Sequence, residues 1–221
     1  MFSWLQVPSN IFCSIMHIDF TFIRICEEAL ADICTLKRPQ SENTILLRVS
    51  EERINREVFK EKGFEALGTY HALEADPFIT LYRNAIQEYS QEHDLDPNLV
   101  TKVVLIHELA HYITHLGNAP VGGIWKNFSN ASQNDKEGTA QVATWLFLRK
   151  YGHNDEMTVF NKITSTAPPE YKKWKNWSLL RSPATNSFDC DRHSFKCKLY
   201  ATSNRLNEET ADLFADLLYL I

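Results

Sequence analysis

The stretch Val104-Leu105-Ile106-His107-Glu108-Leu109-Ala110-His111-Tyr112-Ile113 sets two histidines and a glutamate into a run with no other charged residue. It reads as the middle of a long helix. Asp96 is a favoured N-cap and Pro97 suits the first helical position, while Gly117 sits just past the expected end at His115. Leu99, Val100, Val103, Val104 and Ile106 crowd nearly all sides of that helix, so it is expected to be buried.

Residues four apart share a helix face with Cβ atoms about 5–6 Å apart. Two imidazoles so placed can converge on one ion, and neutral imidazole is a common zinc ligand. Glu108 follows the first histidine and would project beside the ion, where it can accept a proton from activated water. His-Glu-x-x-His is the metalloprotease arrangement. A glutamate and two histidines on a buried apolar helix would cost several kcal/mol unless an ion or polar partners satisfied them.

A catalytic zinc needs a third protein ligand. His115 continues the spacing, but it would lie about 12 Å from His107 along the axis at 1.5 Å per residue. It reads as a rim residue or a hydrogen-bond partner of the site. An extended His-Glu-x-x-His-x-x-Gly-x-x-His pattern is excluded, because Thr114 and Gly117 occupy its last two fixed positions. Glu137, at the start of the next predicted helix, would complete a His2Glu set. Gln141, one turn on, could accept the outward N–H of a ligand histidine.

His107-Glu108-Leu109-Ala110-His111 followed by Glu137-x-x-Ala140-Gln141 resembles the gluzincin metallopeptidases, the thermolysin-like group. The pentapeptide is also similar to that of minimal bacterial peptidases that cleave phage repressors and stress regulators. The resemblance covers residues 68–150 and implies a zincin-like α+β fold binding one Zn2+. It implies a peptide or protein substrate, with His107, His111 and Glu137 as ligands and Glu108 as base. It departs from thermolysin at Gln141, where that group would carry an aspartate. It further implies that strand 78–82 lines the cleft and, as an edge, pairs with extended substrate, an ordinary core strand being the equal alternative for those residues. Ile79 and Leu81 are then the substrate-binding side chains. A regulatory or binding protein on the same scaffold is the alternative. A deformylase is disfavoured by the lack of an upstream Glu-Gly-Cys motif.

Outward from this core, Ile18, Phe20 and Phe22 alternate with polar neighbours and predict a strand over 17–25, followed by a helix over 24–36. Residues 44–49 are β-prone, and 51–62 read as a charged, solvated helix. Segments 68–73 and 78–82 form an expected hairpin, with a helix over 83–94 after it. Gly117 to Asp135 reads as a loop, the following helix starting at 134 or 135 and stopping at Gly152. Pro168-Pro169 opens a short helix, residues 183–191 are loop-like, and 207–221 make a final helix. One α+β domain over 1–221 is expected, with a small, mostly antiparallel sheet packed on the active-site helix and further helices C-terminal to it. Residues 1–15 read as a tail, Met16 being a second possible start.

A charge of −5 and pI of about 5.9 speak against nucleic-acid binding, which rests on a basic excess. The lysines and tryptophans of 171–177 read as a solvated helix face. Cys13, Cys26, Cys34, Cys190 and Cys197 are odd in number and sparse, unlike a disulfide framework. Asp189, Cys190, Asp191, His193 and Cys197 gather possible metal ligands without the paired spacing of a zinc motif. No run of about 18 apolar residues occurs, so no membrane span and a cytoplasmic location are expected. An oxyanion donor besides the ion could be Tyr151, His153, Tyr171, His193 or Tyr200.

Overall fold

The computed structural model describes residues 18, 20–39, 45–51, 66–72, 76–118, 124–167 and 188–203. The expected helix at 51–62, apart from Glu51, which is in a bend, those at 168–174 and 207–221 and the lysine/aromatic stretch 171–177 lie outside them. The described elements run α1 (Phe20–Cys34), β1 (Leu46–Ser50), β2 (Gly68–His71), β3 (Phe78–Tyr82) and α2 (Arg83–Glu92). They continue with α3 (Pro97–Leu116), α4 (Gln133–Tyr151), α5 (Asn154–Thr166) and α6 (Phe188–Ser203). The class is α+β.

Helix α3 is the axis of this arrangement. Asp96 accepts a hydrogen bond from the Asn98 N–H at 2.8 Å, and Pro97 starts the first turn. Gly117 ends it because the chain passes too close for a side chain, not because φ is positive. A Cβ there would lie 2.4 Å from the Ile113 carbonyl oxygen. Thirteen of its twenty residues are buried, on every side of the helix. They pack against α1, α2, α4, α5 and strands β2 and β3. The hydroxyls of Thr101 and Thr114 on this buried surface are satisfied by carbonyls one turn back.

The sheet differs from expectation in two ways. It is mixed, because β1 pairs parallel with β3 while β2 pairs antiparallel with it. The order is β1-β3-β2, so β3 is the central strand rather than an edge. Its backbone groups are shared between two neighbours, and Ile79 and Leu81 are fully buried. Neither residue lines the cavity over the candidate site. Of the two strands that touch α3, β2 is the one that packs against it more extensively.

From Phe20 on, the N-terminal strand expected over 17–25 is instead the start of α1, while residues 17 and 19 lie outside the described residues. Ile23, Cys26, Leu30 and Ile33 face the core at helical spacing, whereas Phe20 is 66% exposed. Helix α5 follows directly on the stop at Gly152, with its Glu156 carboxylate accepting from the His153 N–H. Helix α6 begins at Phe188, where a loop was expected through 191. It is tied to α1 by Arg192 on the Asp32 carboxylate and Ile33 carbonyl, and to α4 by Arg149 on Asp191. Asp191 is thus an ion-pair partner, and the side chains of Asp189, Cys190, His193 and Cys197 lie outside those described. Cys26 and Cys34 are buried, and neither forms a disulfide among the described residues. No described helix is long and apolar enough to cross a membrane.

Candidate metal centre

His107 and His111 stand on consecutive turns of α3 and face the first turns of α4, which present Glu137. Ser132 starts α4 by accepting from the Asp135 N–H, so that helix begins at Gln133, one or two residues before the expected 134 or 135. Three donor atoms meet between the helices. His107 Nε2 lies 3.2 Å from Glu137 Oε2, His111 Nε2 lies 3.4 Å from the same oxygen, and the two Nε2 atoms are 3.2 Å apart. Donors around a tetrahedral ion bound at about 2.0–2.1 Å stand about 3.3–3.4 Å from one another. The triangle therefore has the edge of one face of such a tetrahedron. Together the three residues could hold a metal ion.

All three side chains are largely sequestered, at 13%, 8% and 7% exposed for His107, His111 and Glu137. Burial pushes the Glu137 carboxyl up, but the two imidazoles outweigh it and hold the group well below the usual carboxylate range. It stays ionised, the form in which a carboxylate binds a cation. Its other oxygen, Oε1, accepts from Gln133 Nε2 at 2.7 Å.

Glu108 points to the β2 side. Burial pushes its carboxyl up to about 7; His107 and the Tyr70 backbone N–H act against this, while Glu137 adds to it. The strand comes this close because residue 68 has no side chain. A Cβ there would sit 2.7 Å from Val104 Cγ1 and 3.0 Å from Glu108 Cγ. Glu108 is therefore adjacent to the triangle but outside it, against an edge strand.

A cavity of about 510 Å3 opens over the triangle. It is lined by β2 and by His107, Glu108, His111 and Glu137, with Val103, Val104, Phe160 and Ile163 among its apolar walls. Its size lies within the range of small-ligand sites. Gln141 lines it too, buried as its position on the Glu137 face predicts. Its carbonyl oxygen, however, has no hydrogen-bond partner, and His107 Nδ1 is likewise buried and unpaired. The expected bond between Gln141 and a ligand histidine is not made.

The residues that sequence reasoning missed come from β2 and the first turn of α4. Tyr70 stacks nearly parallel to His111, and its hydroxyl is 3.0 Å from His115 Nδ1. His115 in turn stacks on Phe128, with ring centroids 4.0 Å apart. His115 is thus a hydrogen-bond partner within the site, not a ligand. Of the expected oxyanion donors, Tyr151, His153 and Tyr200 do not line the cavity, and Tyr200 donates to the Thr35 carbonyl instead. Tyr171 and the His193 side chain lie outside the described residues. Gln133 could have been found, because it stands one helical turn before Glu137. No family model, no curated protein and no solved structure matches this chain.

Proposed function

We propose that the chain is a zincin-like, zinc-dependent peptidase that hydrolyses peptide bonds in the cavity over His107, His111 and Glu137. The observation that carries this reading is the triangle of donor atoms with edges of 3.2, 3.2 and 3.4 Å, set beside a carboxylate that does not belong to it. Two nitrogens and one oxygen form the donor set of a catalytic zinc and leave one tetrahedral position open. When bound, the ion supplies Lewis acidity that draws the pKa of water towards neutrality.

The chain's own residues supply the rest. Glu108 is held against β2 by the Tyr70 N–H, so its carboxylate keeps a fixed place at the side of the triangle. From there it takes the proton of the attacking water and returns it to the leaving nitrogen. The cavity walls, which include Val103, Val104, Phe160 and Ile163, accept an apolar side chain and exclude bulk water from it.

Elemental analysis of the purified chain beside Glu137→Ala and Glu108→Gln, with a mixed peptide library as substrate, tests the reading. The wild type should carry one zinc per chain and cut peptides. Glu137→Ala should lose the zinc, and Glu108→Gln should keep it while losing the cutting. A zinc-loaded wild type that leaves the whole library intact would favour the regulatory alternative. A wild type without zinc overturns the proposal.

A further inference from the structure

We infer that Gln133 is a positioning residue of this centre, holding Glu137 to coordination through one oxygen; the inference rests on the metal reading above. The two oxygens of Glu137 are divided between partners. Oε2 faces both imidazoles, at 3.2 and 3.4 Å, while Oε1 accepts from Gln133 Nε2 at 2.7 Å. A carboxylate only accepts, so the edge of Gln133 turned towards it is the NH2 group. Among the described residues Gln133 is the one hydrogen-bond donor to that oxygen.

Gln133 opens α4 and Glu137 lies four residues on, so both side chains stand on one face. The bond has two physical effects. The final torsion of a glutamate is broad and nearly two-fold, and a hydrogen bond to one oxygen fixes it. It also engages lone-pair density that would otherwise be open to the ion as a second donor from the same carboxylate. Hydrogen-bond partners of metal ligands, when removed, typically cost about 10–100-fold in metal affinity.

Gln133 is exposed apart from this contact and lies in a helix's first turn, so its replacement does not disturb the core. Gln133→Met keeps the length of the side chain and deletes the donor, and Gln133→Ala deletes the whole arm. Zinc affinity is measured by competition with a chromophoric chelator, and coordination by the visible spectrum of the cobalt(II)-substituted protein. Both variants should bind zinc about 10–100-fold more weakly than the wild type. Their cobalt band should weaken, as expected for a site that gains an oxygen donor, while the unfolding temperature of the ion-free protein stays unchanged. Affinities within about twofold of the wild type overturn the inference. Weaker binding with an unaltered cobalt spectrum overturns it as well, because the second oxygen is then not what Gln133 restrains. A wild type that takes up neither ion removes the metal reading, and this inference with it.

Discussion

Glu108 and Glu137 are both buried carboxylates at one cavity, yet their surroundings drive them apart. Glu108 rests against an apolar turn and a strand edge, and desolvation raises its carboxyl to about 7. Glu137 lies between two imidazoles, which overcome the same desolvation and keep it ionised. On the proposed reading this separation is a division of labour, with Glu108 moving protons and Glu137 holding charge. Glu108→Gln conserves shape and should leave zinc content unchanged. Turnover should fall by about 10²–10⁴-fold, the usual contribution of a general base. Steady-state kinetics on a cleaved peptide checks this, and undiminished kcat removes Glu108 from the role. Glu137→Ala should lower zinc affinity by more than about 100-fold, since a ligand matters more than its outer partners. A chelator competition reads that loss directly.

At the scale of elements, the site depends on how closely β2 approaches α3. Gly68 sets that distance. A methyl group at 68 would meet Val104 Cγ1 at 2.7 Å and Glu108 at about 3 Å. The valine is packed and cannot yield freely, so the strand must move. Gly68→Ala should therefore destabilise the fold by about 1–3 kcal/mol, as overpacking does. It should also loosen the Tyr70–Glu108 contact and lower kcat. Urea denaturation and kinetics on the same preparation test both, and a variant matching the wild type would place β2 farther from α3. Helix α3 was legible in sequence because its cap, its uninterrupted apolar run and its stop are all local signals. The convergence of His107, His111 and Glu137 was legible because ligand chemistry restricts which residues can meet. The sheet was not, because strand order is set by pairing between distant segments. A five-residue strand such as Phe78–Tyr82 looks the same at an edge as at the centre. The start of α1 was misread because Ile18, Phe20 and Phe22 imitate strand alternation over too short a window. Tyr70 escaped notice for a related reason, since a tyrosine on a strand acquires its partners only through tertiary packing.

At the scale of the molecule, two buried glutamates away from the site tie α3 and α1 to their neighbours and titrate in opposite senses. Glu156 on α5 accepts from Lys102 of α3 and from the His153 N–H. Burial pushes its carboxyl up, but those partners prevail and the net shift is downward. Glu27 on α1 accepts from the Ile45 N–H and pairs with Arg38, yet burial prevails there and its carboxyl is raised. Both start from an ordinary value of 4.5, so their effects fall on either side of it. A lowered carboxyl contributes stability that is complete above the ordinary value and is lost as pH falls through the folded one. A raised carboxyl contributes stability that is complete below the ordinary value and is lost as pH rises through the folded one. The stability difference between wild type and Glu156→Gln should therefore be constant near neutrality and shrink as pH falls below about 4.5. The difference between wild type and Glu27→Gln should instead change above about 4.5, with the glutamine variant gaining relative to wild type as pH rises towards 7. Urea midpoints of the three proteins across that range read both slopes. Parallel curves for wild type and Glu27→Gln between pH values of about 4.5 and 7 would mean that Arg38 and the Ile45 N–H compensate the burial of Glu27 in full.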